Sequence, residues 1–166
     1  MNEKLIKLLE KLNETAVLID KIHSKNDWLY KSNESLVLRH GLPFINVIPS
    51  PFKGERKSCY KNCFEALWKN SKLYYCEGYG MQSDISLAFA HAWLLNEAGE
   101  VIDPTWSDLT ISEKFVYYGL VFNRNFVFNT AKQTNVYGIL ENDYRNNNVL
   151  KIKGLPPDAL CPKFNS

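Results

Sequence analysis

At 166 residues, with 45% apolar and 13% aromatic side chains, the chain has the length and composition of one globular domain able to bury a core. A formal net charge of +2 is too small to imply a nucleic-acid partner, and no apolar run reaches membrane-spanning length. The charged N-terminus, MNEKLIKLLEKLNE, lacks the apolar core and small-residue cleavage site of a secretory signal, so a cytoplasmic protein with reduced thiols and no membrane partner is expected.

In chain order, residues 3–22 read as an amphipathic helix, because Leu5, Leu8, Leu9, Leu12, Ala16 and Ile19 recur at three- and four-residue steps. SNESLVLRHG (32–41) reads as a second helix, capped by Ser32 or Asn33 and stopped by Gly41. LPFINVIPSPFKGERK carries three prolines and a glycine and is expected to be a loop or extended connector. Residues 59–70 return to a helical pattern, with Cys59, Cys63 and Leu67 on one face and Ser58 as N-cap. KLYYCEGYGM (72–81) is a strand, followed by strands at 87–95 and 100–103 around NEAGE. KFVYYGLVF is a strand or helix edge, NRNFVFN a further strand, and the tail from Tyr144 a short strand with irregular chain. Helices first and strands later predict an α+β domain over 1–166: a helical part in 1–50, then a central antiparallel sheet.

The hairpin places chemistry. Opposed residues in an antiparallel pair share an index sum, and His91 with Asp103 gives 194, centred on residue 97. A three-residue loop of Asn96, Glu97 and Ala98 therefore sets the two face to face, with Cβ atoms roughly 4.5–5.5 Å apart. A carboxylate there accepts the imidazole N–H, fixes its tautomer and stabilises the imidazolium. The use of such a pair is to activate a nucleophile. Cys59, in the first turn of a helix, has amides and a dipole that favour a thiolate and offer donors to an oxyanion. The bland readings stand beside this one: a buried structural His91, an Asp103 that starts a turn before Pro104, and a Cys59 that only packs. Trp93 and Trp106 read as core or site-wall rings, and Trp93 is expected on the His91 face, shielding the pair from water. Glu77 and Tyr79 line the site or merely belong to a strand, and Asn62 is an oxyanion donor or a local cap. For His23 and His40, ordinary roles on a helix surface or at a helix end suffice. Four cysteines at 59, 63, 76 and 161 do not form a disulfide framework.

CYKNC…YYCEGYG…FAHAWLLNEAGEVIDPTW resembles the transglutaminase-like family of cysteine enzymes, which share a papain-like Cys-His-Asp arrangement, and in particular its small bacterial and phage-type members. The likeness covers residues 56–122. It implies a transglutaminase-like core with Cys59 as nucleophile, His91 as base and acid, and Asp103 as orienter of the ring. Cys63 stands where a small residue is expected; Cys59 is preferred because it lies nearer the helix start and fits a Cys-aromatic-x-Asn pattern. The implied activity is thiol-dependent acyl transfer, chiefly hydrolysis of a peptide or related amide. The substrate is then a peptide, a protein or a small amide, and neither cofactor nor metal is required. Two alternatives remain open at this point: an inactive binding module of the same fold, and a structural zinc site built from Cys59, Cys63, Cys76 and His91.

Overall fold

A computed structural model describes residues 2–106 and 114–165; the stretch 107–113, inside the expected core region 56–122, lies outside the described residues. The architecture is α+β, with five helices and one six-stranded sheet among those residues. Helix α1 (Glu3–Ile22) starts where Asn2 Oδ1 accepts the Lys4 and Leu5 amides, and it buries Leu5, Leu8, Leu12 and Ala16. Helix α2 (Asn33–His40) is capped by Ser32, whose Oγ accepts the Ser35 amide at 3.0 Å, and Gly41 ends it. The first helix forms where its periodicity predicts it, and the second where Ser32 and Gly41 bound it.

The connector after α2 is less irregular than its prolines suggest. It contains two short strands, β1 (Leu42–Phe44) and β2 (Val47–Ile48), at opposite ends of the sheet. Helix α3 (Cys59–Lys69) follows. Then come β3 (Tyr74–Gln82), β4 (Ile85–Leu95), β5 (Val101–Ile102) and β6 (Phe115–Phe122). The strand order is β1-β6-β3-β4-β5-β2. The sheet is mixed rather than antiparallel: β2 runs parallel to β5, with Val47 paired to Val101, whereas the other neighbours are antiparallel. Only Ile45 and Asn46 separate β1 from β2, so the chain spans from Phe44 to Val47 in at most about 11 Å. The two outer strands must therefore approach each other, and the sheet curls until it is nearly closed.

That curl explains two apolar clusters. Inside it, Phe44 of β1 and Val101 of β5 meet Cys76, Trp93, Tyr117 and Val121 from the central strands, with the Phe44 and Trp93 rings 5.9 Å apart. On the other face α1, α2 and α3 cover Tyr75, Tyr79, Met81, Ala92, Leu94 and Leu120. Gly78 and Gly119 sit opposite each other between β3 and β6; a Cβ on Gly119 would lie 2.4 Å from the Glu77 carbonyl and 2.6 Å from the Trp93 ring. The closeness of the strands at that point depends on both having no side chain.

Two predicted strands are helices instead. Asn123 accepts the Asn125 amide and starts α4 (Arg124–Thr134), where Val127 and Thr130 face inward one turn apart. Three adjacent apolar residues, Phe126, Val127 and Phe128, resemble a strand only when the cap is overlooked. In the tail, a 3-10 turn (Asp143–Asn146) precedes α5 (Val149–Lys153), and the buried Asp143 carboxylate accepts the Leu150 and Lys151 amides. Beyond it, strand character is reduced to a single bridge between Leu160 and Phe122. No helix among the described residues is long and apolar enough to cross a membrane.

Candidate active site

Helix α3 opens directly on Cys59, and the N-cap Ser58 makes no side-chain hydrogen bond to the first turn. The amides there are left without an internal side-chain cap, at the positive end of the helix dipole. Cys59 is half-buried. One turn later Cys63 is fully buried against the sheet, and burial pushes its thiol well up; Cys76, inside the curl, is in the same condition. Between the two thiols on the α3 face, Cys59 is the one open to reagents.

The Asn62 side chain fixes where this helix start sits. Its Oδ1 accepts the Glu55 amide at 3.0 Å, while Nδ2 donates to the Glu55 carbonyl at 2.7 Å and to Thr105 Oγ1 at 2.9 Å. The Gly54 amide adds a bond to the Pro104 carbonyl at 2.9 Å. A Cβ on Gly54 would stand 2.2 Å from Asn62 Cγ, so the loop can pass this close only as glycine. With both Nδ2 hydrogens committed, Asn62 is neither an oxyanion donor nor a local cap. It clamps α3 to the turn that carries Asp103.

His91 lies on β4 opposite Gly78, and only 3% of its surface is exposed. The turn after β4 differs from the predicted one. Asn96 Oδ1 accepts the Ala98 and Glu100 amides, Gly99 takes a left-handed φ of 80°, and the connector runs over five residues, 96–100. Leu94 therefore pairs with Ile102, and the register is centred on 98 rather than 97. Extended to Asp103, this register offsets it by two residues from the position facing His91. A two-residue offset keeps both side chains on one face, as a diagonal pair. The carboxylate reaches across that diagonal: His91 Nε2 and Asp103 Oδ2 are 2.8 Å apart, both residues nearly without solvent contact.

Asp103 is held from four directions. Its Oδ1 accepts the Thr105 and Trp106 amides at 3.0 and 3.1 Å, and its Oδ2 accepts the Tyr117 hydroxyl at 2.8 Å as well as the imidazole. Burial alone would raise this carboxyl, but the His91 charge and these donors outweigh it and hold the pKa below the usual aspartate value. For His91, burial disfavours the charged ring; Asp103, aided by the Cys59 thiol within hydrogen-bonding reach, reverses that and lifts the pKa to about 9. An ionised carboxylate only accepts, so Nε2 carries the proton and Nδ1 is the nitrogen left for the thiol.

The ring over His91 is Trp106, not Trp93: the indole stacks on the imidazole with centroids 3.8 Å apart and planes 10° from parallel. Trp93 shares the His91 face of β4 as expected, but its ring packs inside the curl, 5.0 Å from Tyr117, rather than on the imidazole. A Cβ on Gly80 would stand 2.7 Å from Trp106, so this glycine gives the indole its seat. Comparison with family models, curated proteins and solved structures returns no match.

Glu77 is neither a site-lining group nor an exposed strand acid. It is buried and accepts the Tyr75 hydroxyl at 2.6 Å and the Ile139 and Leu140 amides at 2.6 and 2.8 Å. Burial pushes its carboxyl up to about 7 in spite of these donors. Its work is to tie the 139–140 segment to β3. His23 stacks on Trp28, and His40 bonds the Tyr30 hydroxyl at 2.6 Å, both away from Cys59. Among the described residues no three His, Cys, Asp or Glu side chains converge as metal ligands, and the four proposed for zinc are divided between α3, which carries Cys59 and Cys63, and strands β3 and β4, which carry Cys76 and His91. Tyr117 and the stacking role of Trp106 were not singled out from sequence. Their signal is alternation: Phe115, Tyr117 and Gly119 share one face of β6.

Proposed function

We propose that the protein is a cysteine-dependent acyl-transfer enzyme, acting chiefly as a hydrolase of a peptide or related amide bond, with Cys59 as nucleophile. The observation that carries the reading is the solvent-shielded His91–Asp103 pair at 2.8 Å, with the half-buried Cys59 of a helix start near enough to raise the imidazole's pKa. A basicity lifted by Asp103 makes His91 a ready acceptor for the Cys59 proton. The thiolate then attacks the substrate carbonyl, and the first-turn amides of α3, which have no side-chain cap, are the donors that would take up the oxyanion. The imidazolium returns its proton to the leaving amine as the C–N bond breaks, leaving a thioester on Cys59. Water, or a second amine, gives up a proton to His91 and attacks that thioester, releasing the acyl group and restoring the thiol. The same Cys–His–Asp order supports the resemblance to transglutaminase-like enzymes and to their papain-like core.

The test is thiol chemistry mapped by mass spectrometry. Iodoacetamide should label Cys59 well before Cys161, which is also half-buried and serves as an internal control. His91→Gln should slow Cys59 labelling without changing that of Cys161, and Cys59→Ala should abolish turnover. Cys63 labelling first, or a Cys59 no faster than Cys161, would falsify the assignment. Full turnover by Cys59→Ala would refute Cys59 as the nucleophile, whereas a native protein whose Cys59 is no more reactive than Cys161 and that turns nothing over would leave the fold as an inactive binding module.

A further inference from the structure

One cavity among the described residues does not count His91 in its lining. It is a groove of about 860 Å3 between α3, α4 and the segment 135–145. Cavities of about 300–1,000 Å3 are the usual size of specific ligand sites. Along α3 its wall is Tyr60, Phe64 and Trp68; across from them stand Phe128 of α4 and Tyr137. Phe128 meets Phe64 and Trp68 edge-to-face, at 5.3 and 5.2 Å, and Tyr137 lies 5.2 Å from Phe64. Trp68 nonetheless keeps 69% of its surface exposed, an unusual state for the largest apolar side chain unless something covers it.

The charges in this groove have one sign. Lys61, Lys132 and Arg145 line it, and no Asp or Glu does. Of these, Lys61 is paired outward with Glu55 at 3.1 Å, and Glu141 bonds Tyr60 from the neighbouring side. Arg124 sits 5.1 Å over the Phe128 ring and extends the positive surface. The groove also reaches the active thiol's own turn, because Ser58, Tyr60 and Lys61, on either side of Cys59, belong to its lining. The helix dipole adds a further positive end there.

We propose that this groove is the substrate-docking site, and that it takes an acidic polypeptide segment carrying large apolar side chains, whose carbonyl is thereby brought to Cys59. The inference rests on the reading of Cys59 as nucleophile. The charge complement selects the acidic partner, and the aromatic wall selects its apolar side chains. A nucleic acid is the poorer fit. The rings pack edge against face with one another, at 84° and 77°, and so do not present parallel platforms on which successive bases stack.

The experiment measures fluorescence anisotropy of two labelled peptides on the full chain. One alternates Asp or Glu with Phe; the other has Lys at each acidic position. The acidic peptide should bind, with an affinity that falls as salt is raised, and the basic one should bind at least tenfold more weakly. Trp68→Ala and the double variant Lys132→Glu, Arg145→Glu change exposed positions, so the fold is spared, and each should weaken the acidic peptide at least tenfold. Iodoacetamide labelling of Cys59 should stay at the native rate in both variants, and the bound acidic peptide should slow it in the native protein. Equal binding of both peptides, a thymidine oligonucleotide that binds as tightly, or groove variants that bind normally overturn the docking site. Peptide binding that leaves Cys59 labelling untouched overturns the link to the thiol. A native Cys59 that is inert while the groove still binds refutes the catalytic reading instead, so the two failures are distinguishable.

Discussion

Replacing Asp103 by Asn removes the charge beside His91 while preserving the side chain's size and its Oδ1 bonds to the Thr105 and Trp106 amides. In the native protein burial opposes the imidazolium, yet Asp103 lifts the His91 pKa from 6.5 to about 9. At about 1.4 kcal/mol per tenfold, that gap is worth about 3 kcal/mol. Without the carboxylate, burial prevails, and His91 of the variant should titrate below 6.5. The effect on folding has a definite sign. A group whose pKa is raised on folding contributes fully below its unfolded value and loses that contribution as pH passes the folded value. The native protein should therefore exceed Asp103→Asn by about 3 kcal/mol at about pH 6, with the difference shrinking between about pH 6.5 and 9. Histidine-selective NMR follows the titration directly, since the chain has three histidines, and urea unfolding at several pH values gives the free energies. A native His91 that titrates near 6.5, or a variant whose His91 still titrates near 9, refutes the reasoning.

Tyr117→Phe deletes the hydroxyl that Asp103 Oδ2 accepts at 2.8 Å, and the loss of a buried bond to a charged acceptor should cost about 1.5–3 kcal/mol in urea unfolding. The Asp103 pKa should rise at the same time, read from the acid limb of the stability profile; an unchanged profile would show the hydroxyl to be idle. Asn62→Ala should release the loop before α3. Hydrogen exchange at the Gly54 and Glu55 amides should quicken, and stability should fall by about 1–3 kcal/mol. Native protection at those two amides would show that Asn62 is not the clamp.

The parts of the fold legible in sequence were those written in local chemistry. The leucine spacing of α1 puts Leu5, Leu8 and Leu12 on its buried face, Ser32 caps α2 with its own side chain, and Gly41 ends α2 where it was expected. The pairing of His91 with Asp103 was legible, but its register was not, because the length of the turn depends on how Asn96 bonds two amides beyond it. The sheet offset of two residues happens to preserve the face, so the pair survives a wrong loop. Helix α4 was missed because Phe126, Val127 and Phe128 favour strands by composition, whereas packing of Val127 and Thr130 on one face decides the matter. No local signal could reveal β1 and β2: each has two or three residues and exists through partners far along the chain. Trp106 as the cover of His91 is equally a tertiary fact, since its seat is made by Gly80 on another strand.

The short link at Ile45 and Asn46 sets an order for folding. Hairpin β3–β4 joins residues close in sequence and can form early, whereas Phe44 must wait for Tyr117 and Val47 for Val101. Both partners have to be in place before the link can fasten the rims. Phe44 is also a wall of the interior cluster around Trp93, so that cluster remains open on one side until the last step. Closure should thus be the slow phase of refolding, and the strand bearing His91 should acquire its final rigidity only when a segment synthesised well before it comes back to lock the ring.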